Sequence, residues 1–147
     1  LFIGKGNIVS MSANLKKFNS VLEALIKTII RLCPEETNIK VGYEYFKICP
    51  SKKIWELFVQ NVYPLRLLIQ ARDEDFFLNS EVNKEALEEN VSADVGGEGA
   101  FNSILNIKDA WVNRLSNVEK EKIWKALGVL IILCEKVMME EMAKSQG

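Results

Sequence analysis

Asp73, Glu74 and Asp75 are the residues of this chain whose spacing comes nearest to a metal site. An Asp-x-Asp pair can open a calcium loop, in which oxygen ligands recur at alternate positions and a glutamate closes the sphere. Here Phe77 stands where the third oxygen ligand is needed, Leu78 replaces the turn glycine, and Lys84 replaces the closing glutamate. Both ligand charge and turn geometry are lost, so no EF-hand is expected. Magnesium held by Asp73, Glu74 and Asp75 alone would need a second ligand set, and nothing in the sequence positions one. Histidine is absent. That removes His-based acid–base pairs, His-activated nucleophiles and nearly all ordinary zinc sites. Ser10, Ser51 and Ser116 therefore lack an activating imidazole, and Ser51 and Ser116 read more simply as helix caps. Gly4-Lys5-Gly6 lacks the spacing of a phosphate-cradling loop, and no GxGxxG follows a strand. No enzyme and no cofactor are expected.

Cysteine chemistry is equally sparse. Cys33, Cys49 and Cys134 are an odd, scattered set without a CxxC pair. Cys33 and Cys134 fall on apolar helix stripes, where a free cysteine acts as a small hydrophobe. Buried, reduced thiols in a cytosolic setting are the expectation, rather than a disulfide or a catalytic nucleophile.

Two binding surfaces remain. Residues 73–100 carry nine acids and one lysine, a net charge of −8, within a chain whose total is −1. Residues 1–50 carry +3, residues 51–72 carry +3 and residues 101–147 carry +1, so an acidic insert interrupts a mildly basic frame. A solvated loop balancing a basic surface is the plainer reading, and a docking surface for a basic protein partner is the functional one. Asp73, Glu74, Asp75, Phe76 and Phe77 are its candidate residues. Phe76, Phe77 and Leu78 should fold back as an anchor, because leaving three large apolar residues in water is costly. The alternative is a nucleic-acid patch of Lys40, Tyr45, Lys47, Lys52, Lys53, Arg66 and Arg72, joining phosphate neutralisation to base stacking. Tyr43 belongs to the same group, although the core competes for it.

The elements that must position these residues centre on Ser116 to Met142. Ser116 and Glu119 have capping-box spacing, in which each side chain satisfies a backbone N–H of the other. Ile123, Trp124, Leu127, Leu130, Ile131, Cys134, Val137, Met138 and Met142 then recur at helical spacing. Between Ala126 and Cys134 the segment is apolar all round apart from Gly128, so the helix is expected to be covered on several sides. Ser12 or Asn14 can cap a first helix, which Cys33-Pro34 ends, since a residue before proline is pushed out of the α region. Ile39 to Ile48 fits either a strand or a helix, and its helical neighbours favour the helix. Ser51 starts another helix bearing Ile54, Trp55 and Phe58, and Pro64 breaks it near Tyr63. Residues 80–90 read as a short polar helix, 91–100 as a flexible loop, and 101–115 as a further helix.

Length and composition agree with this organisation. A chain of 147 residues, 48% hydrophobic and 27% charged, fits one globular domain. The fold class is all-α, a single bundle of five to seven helices around about 117–142. Residues 1–10 read as a leader or an expression remnant, and 11–147 as the domain. No window is long and apolar enough for a membrane span, so a soluble, cytoplasmic protein is expected.

The run YPLRLLIQARDEDFFL at 63–78, with LNIKDAWVNRLSNVEKEKIWKALGVLIILCEKV at 105–137, resembles a pattern in small uncharacterised all-helical proteins of nucleocytoplasmic large DNA viruses. It covers about half the chain. The resemblance implies an all-helical viral protein in an infected cell's cytoplasm or in the virion, and it brings no catalytic residue. Together these readings favour a non-enzymatic interaction or structural module with a host or viral protein partner, and with homo-oligomerisation open. An exposed apolar patch would mark such a module.

Overall fold

The computed structural model describes residues 12–78 and 108–146, in which every regular element is helical and none is a strand. In chain order these are α1 (Ala13–Leu32), α2 (Thr37–Ile48), α3 (Ser51–Asn61), a 3-10 turn (Tyr63–Leu65), α4 (Arg66–Gln70), α5 (Glu74–Leu78) and α6 (Asn117–Gln146). Residues 108–113 are also helical. The expected leader, the polar helix at 80–90, the loop at 91–100 and the start of the helix at 101 lie outside the described residues.

The helix boundaries follow from local chemistry. Ser12 Oγ accepts the Leu15 N–H at 3.0 Å and caps α1. The capping box before α6 closes in both directions: the Ser116 N–H donates to Glu119 at 2.8 Å, and the Glu119 N–H donates to Ser116 Oγ at 3.1 Å. α1 ends at the Cys33-Pro34 step as expected, and 39–48 is helical. Ser51 corrects the reading of its role: it is the first helical residue of α3, the N-cap is Pro50, and no side chain caps that end. Pro50 instead offers its carbonyl to the Ile54 N–H at 3.1 Å. Pro64 does break the chain, within the 3-10 turn that separates α3 from α4.

α1 packs along α6, and α3 and α4 complete the same side of the bundle. Phe18, Leu130, Ile131 and Cys134 are fully buried where α1 and α6 meet. Phe58 of α3 meets the Phe18 ring edge-on at 5.1 Å, and the Trp55 indole N–H donates to the Cys134 carbonyl at 3.3 Å. That bond satisfies a polar atom that would be costly to bury unpaired. Among the described residues the packing partners of α6 sit on one side, and this corrects the expectation that its apolar middle is covered on several sides. Val129 and Ile132 face outward at 44% and 53% exposure, and Met142, read as part of the buried stripe, is 59% exposed.

α2 buries none of its residues fully, so helix propensity carries unusual weight in its stability. A Cβ at Gly42 would meet nothing within 4 Å. Gly42→Ala should therefore stabilise the domain by about 0.5–1 kcal/mol, read as a raised urea midpoint.

All three cysteines are free and buried. Burial pushes the Cys134 thiol from 9.0 up to about 11. An unfolded chain ionises this thiol near its ordinary value while the folded chain keeps it protonated. Its effect is thus small below about pH 9, and from there to about pH 11 it erodes stability by about 1.4 kcal/mol per unit. Urea unfolding of wild type and Cys134→Ala should show wild type losing ground to the variant between about pH 9 and about pH 11.

Candidate functional site

The acidic turn is built into the fold. α4 ends with Arg72 in the left-handed region, φ 54°, where its N–H reaches the Ile69 carbonyl and the Asp73 N–H reaches the Leu68 carbonyl, both at 3.0 Å. This paired bonding satisfies the helix's last carbonyls and turns the chain sharply. Asp73 then caps α5, its Oδ1 accepting the Phe76 N–H at 3.1 Å. Glu74 Oε1 accepts the Trp111 indole N–H at 3.2 Å. Phe77 lies 6.0 Å from the Trp124 ring and 5.2 Å from Phe76, and both Phe77 and Leu78 pack against the core. Two residues of the expected anchor, Phe77 and Leu78, therefore reach the core, while Phe76 stacks edge-on against Phe77. Of the candidate carboxylates, Asp73 and Glu74 are committed to capping and to the indole, and Asp75 is the exposed one.

The basic candidates are spread over several elements, and four have partners in the fold. Lys47 pairs with Glu44 at 2.9 Å and sits 4.9 Å above the Tyr43 ring. Lys52 pairs with Glu141 at 2.7 Å. Arg66 lies over the Tyr63 ring at 4.4 Å, and Arg72 pairs with Glu121. Lys40 and Lys53 are exposed, as is Tyr45 at the edge of α2. Tyr43 faces inward to Glu23, donating its hydroxyl at 2.7 Å.

A surface that the sequence reading did not isolate runs along α6. Val118, Lys122, Lys125, Val129, Ile132, Lys136 and Met139 are all exposed. Their spacing alternates four and three, which places them in one nearly straight seam about 32 Å long. Four of the five carboxylates of α6 flank this seam, Glu141 lies toward the packed side, and each makes a bond away from the seam, although one oxygen of Glu140 is buried without a hydrogen-bond partner among the described residues. Glu119 closes the capping box and Glu121 holds Arg72. Glu135 accepts the Tyr63 hydroxyl at 2.8 Å, Glu140 accepts from the Asn14 amide at 2.8 Å, and Glu141 pairs with Lys52. Lys122, Lys125 and Lys136 have no hydrogen-bond or ion-pair partner among the described residues. The seam is apolar and basic, with no acid in it.

Lys108 is a cation whose surroundings disfavour its charge. Its Nζ is buried without a hydrogen-bond partner among the described residues, and desolvation lowers its pKa. Among the described residues no cluster of three or more His, Cys, Asp or Glu could hold a metal ion. No described helix is long and apolar enough to cross a membrane.

Among the described residues, fold and surface together define an all-α bundle whose central helix presents an exposed, amphipathic outer face. No family model, curated protein or solved structure matches the chain.

Proposed function

We propose that this protein is a non-enzymatic interaction module, and that the outer seam of α6 is its docking face. The observation that carries this reading is the exposure of Val118, Val129, Ile132 and Met139 on the same helix that supplies the core. Scattered apolar residues on a surface are ordinary, but a row of them at helical spacing, here with lysines between, gives a partner a strip to bury. Seating the strip on the bundle's most deeply packed helix also keeps it rigid, which lowers the ordering cost of association. The likeness of 63–78 and 105–137 to proteins of nucleocytoplasmic large DNA viruses adds a setting, in which the partner is a host or viral protein of an infected cell.

The test places a photo-crosslinking amino acid at position 132, and separately at exposed position 53, in cells that make the protein. A discrete adduct from 132 without its counterpart from 53 is the expected result. Equal yields at both positions would sink the reading.

A further inference from the structure

We infer that the α6 seam takes an acidic amphipathic helix, one with apolar residues along its contact stripe and carboxylates beside them. The inference rests on the proposed docking face and names the chemistry of what binds there.

Shape comes first. The exposed residues 118, 122, 125, 129, 132, 136 and 139 follow the four-three alternation by which one helix lies along another. A straight strip of this kind suits a helical partner, whose own side chains recur at the same period. An extended strand would bring alternate side chains every two residues and fall out of register with it.

Charge then selects among helices. Lys122, Lys125 and Lys136 interrupt the apolar positions, and none is paired with the flanking carboxylates, which bond instead to Arg72, Tyr63 and Asn14. Covering the apolar strip brings these ammonium groups toward the interface, where an unpaired charge is penalised. A partner with Glu or Asp opposite them removes that penalty, and one with Lys or Arg adds repulsion. The same reasoning disfavours a second copy docked seam to seam, since both faces would be basic. A nucleic acid would satisfy the lysines but leave Val129, Ile132 and Met139 against phosphate.

The probe is a fluorescein-labelled helical peptide of about three heptads, with Leu and Ile along one stripe and Glu beside it. Its counterpart carries Lys in place of every Glu. Fluorescence anisotropy should show wild type binding the acidic peptide at least about tenfold more tightly than the basic one, with the preference shrinking as salt rises. The triple variant Lys122→Glu, Lys125→Glu, Lys136→Glu should invert that order. Ile132→Ser with Met139→Ser should lose both peptides. All these positions are exposed, so urea midpoints should match wild type; if the triple Glu variant is destabilised, the triple Gln variant should abolish the preference without inverting it.

Equal binding of both peptides, lost in Ile132→Ser with Met139→Ser, would overturn the acidic partner and leave the docking face standing. The same holds if neither peptide binds while the adduct at position 132 persists. Vesicles of phosphatidylserine and phosphatidylcholine that bind through the lysines more tightly than the acidic peptide would replace the helix with a lipid surface. Sedimentation showing a dimer that Ile132→Ser abolishes, without peptide binding, would replace it with a second copy. Loss of the adduct together with failure of both peptides would overturn the docking face itself.

Discussion

Leu130→Asp should abolish cooperative folding, while Ile132→Asp, two residues further along the same helix, should shift stability by no more than about 0.5 kcal/mol. Leu130 is fully buried where α1 crosses α6, and Ile132 is 53% exposed on the opposite face. Aspartate at 130 would put a carboxylate into the apolar cluster that includes Phe18, Ile131 and Cys134. An uncompensated buried charge costs several kcal/mol even after its pKa shifts, which is comparable to the roughly 5–15 kcal/mol that holds a domain together. At 132 the carboxylate stays in water, so only helix propensity and the nearby lysines respond. Urea unfolding followed by circular dichroism separates the two cases. Equal loss in both variants would mean that the outer face of α6 is core, and the docking proposal would lose its ground.

The same pair of positions shows where the sequence is readable and where it is not. The buried stripe through Ile123, Trp124, Leu130, Ile131, Cys134 and Val137 was legible because burial on one side demands its spacing. The capping box was legible because its partners sit three residues apart. From 126 to 134, however, no polar residue marks which side faces out, so pattern alone suggests cover all round. The missing signal lay outside that window: Lys122, Lys125 and Lys136 continue the 129–132 face at four-three spacing and point it to water. Asp73 and Glu74 looked like free surface charge, yet Asp73 stands three residues before Phe76, a spacing from which a cap can be read. The indole partner of Glu74 is 37 residues away and cannot be read from spacing. The same limit applies to the basic group, because Lys52 finds Glu141 and Arg72 finds Glu121 across the tertiary fold. Ser51 illustrates a local competition. Proline at the preceding position already supplies the extended geometry and the carbonyl that start α3, leaving the hydroxyl no capping bond to make.

Trp124→Ala should cost about 3–5 kcal/mol, and its effect should spread selectively to the acidic turn. Trp124 lies 5.4 Å from Trp111, edge to face, and 6.0 Å from Phe77, so one indole joins α6 to residues 108–113 and to α5. α5 is only five residues long and cannot hold itself as a helix. Its tethers include the Phe77 and Leu78 contacts, the Asp73 cap and the Glu74 bond to the Trp111 indole. Removing Trp124 deletes the surface under Phe77 and loosens Trp111, which in turn weakens the hold on Glu74. Hydrogen exchange at 74–78 should therefore accelerate by more than the global loss of stability explains, while amides of α1 keep pace with the global change. Trp124→Phe should restore part of both effects, since it refills much of the volume and keeps an aromatic face for Phe77. Uniform acceleration across α1 and α5 would mean that the turn opens only with the whole domain. In that case the acidic residues would be part of its cooperative unit and not a separately hinged surface.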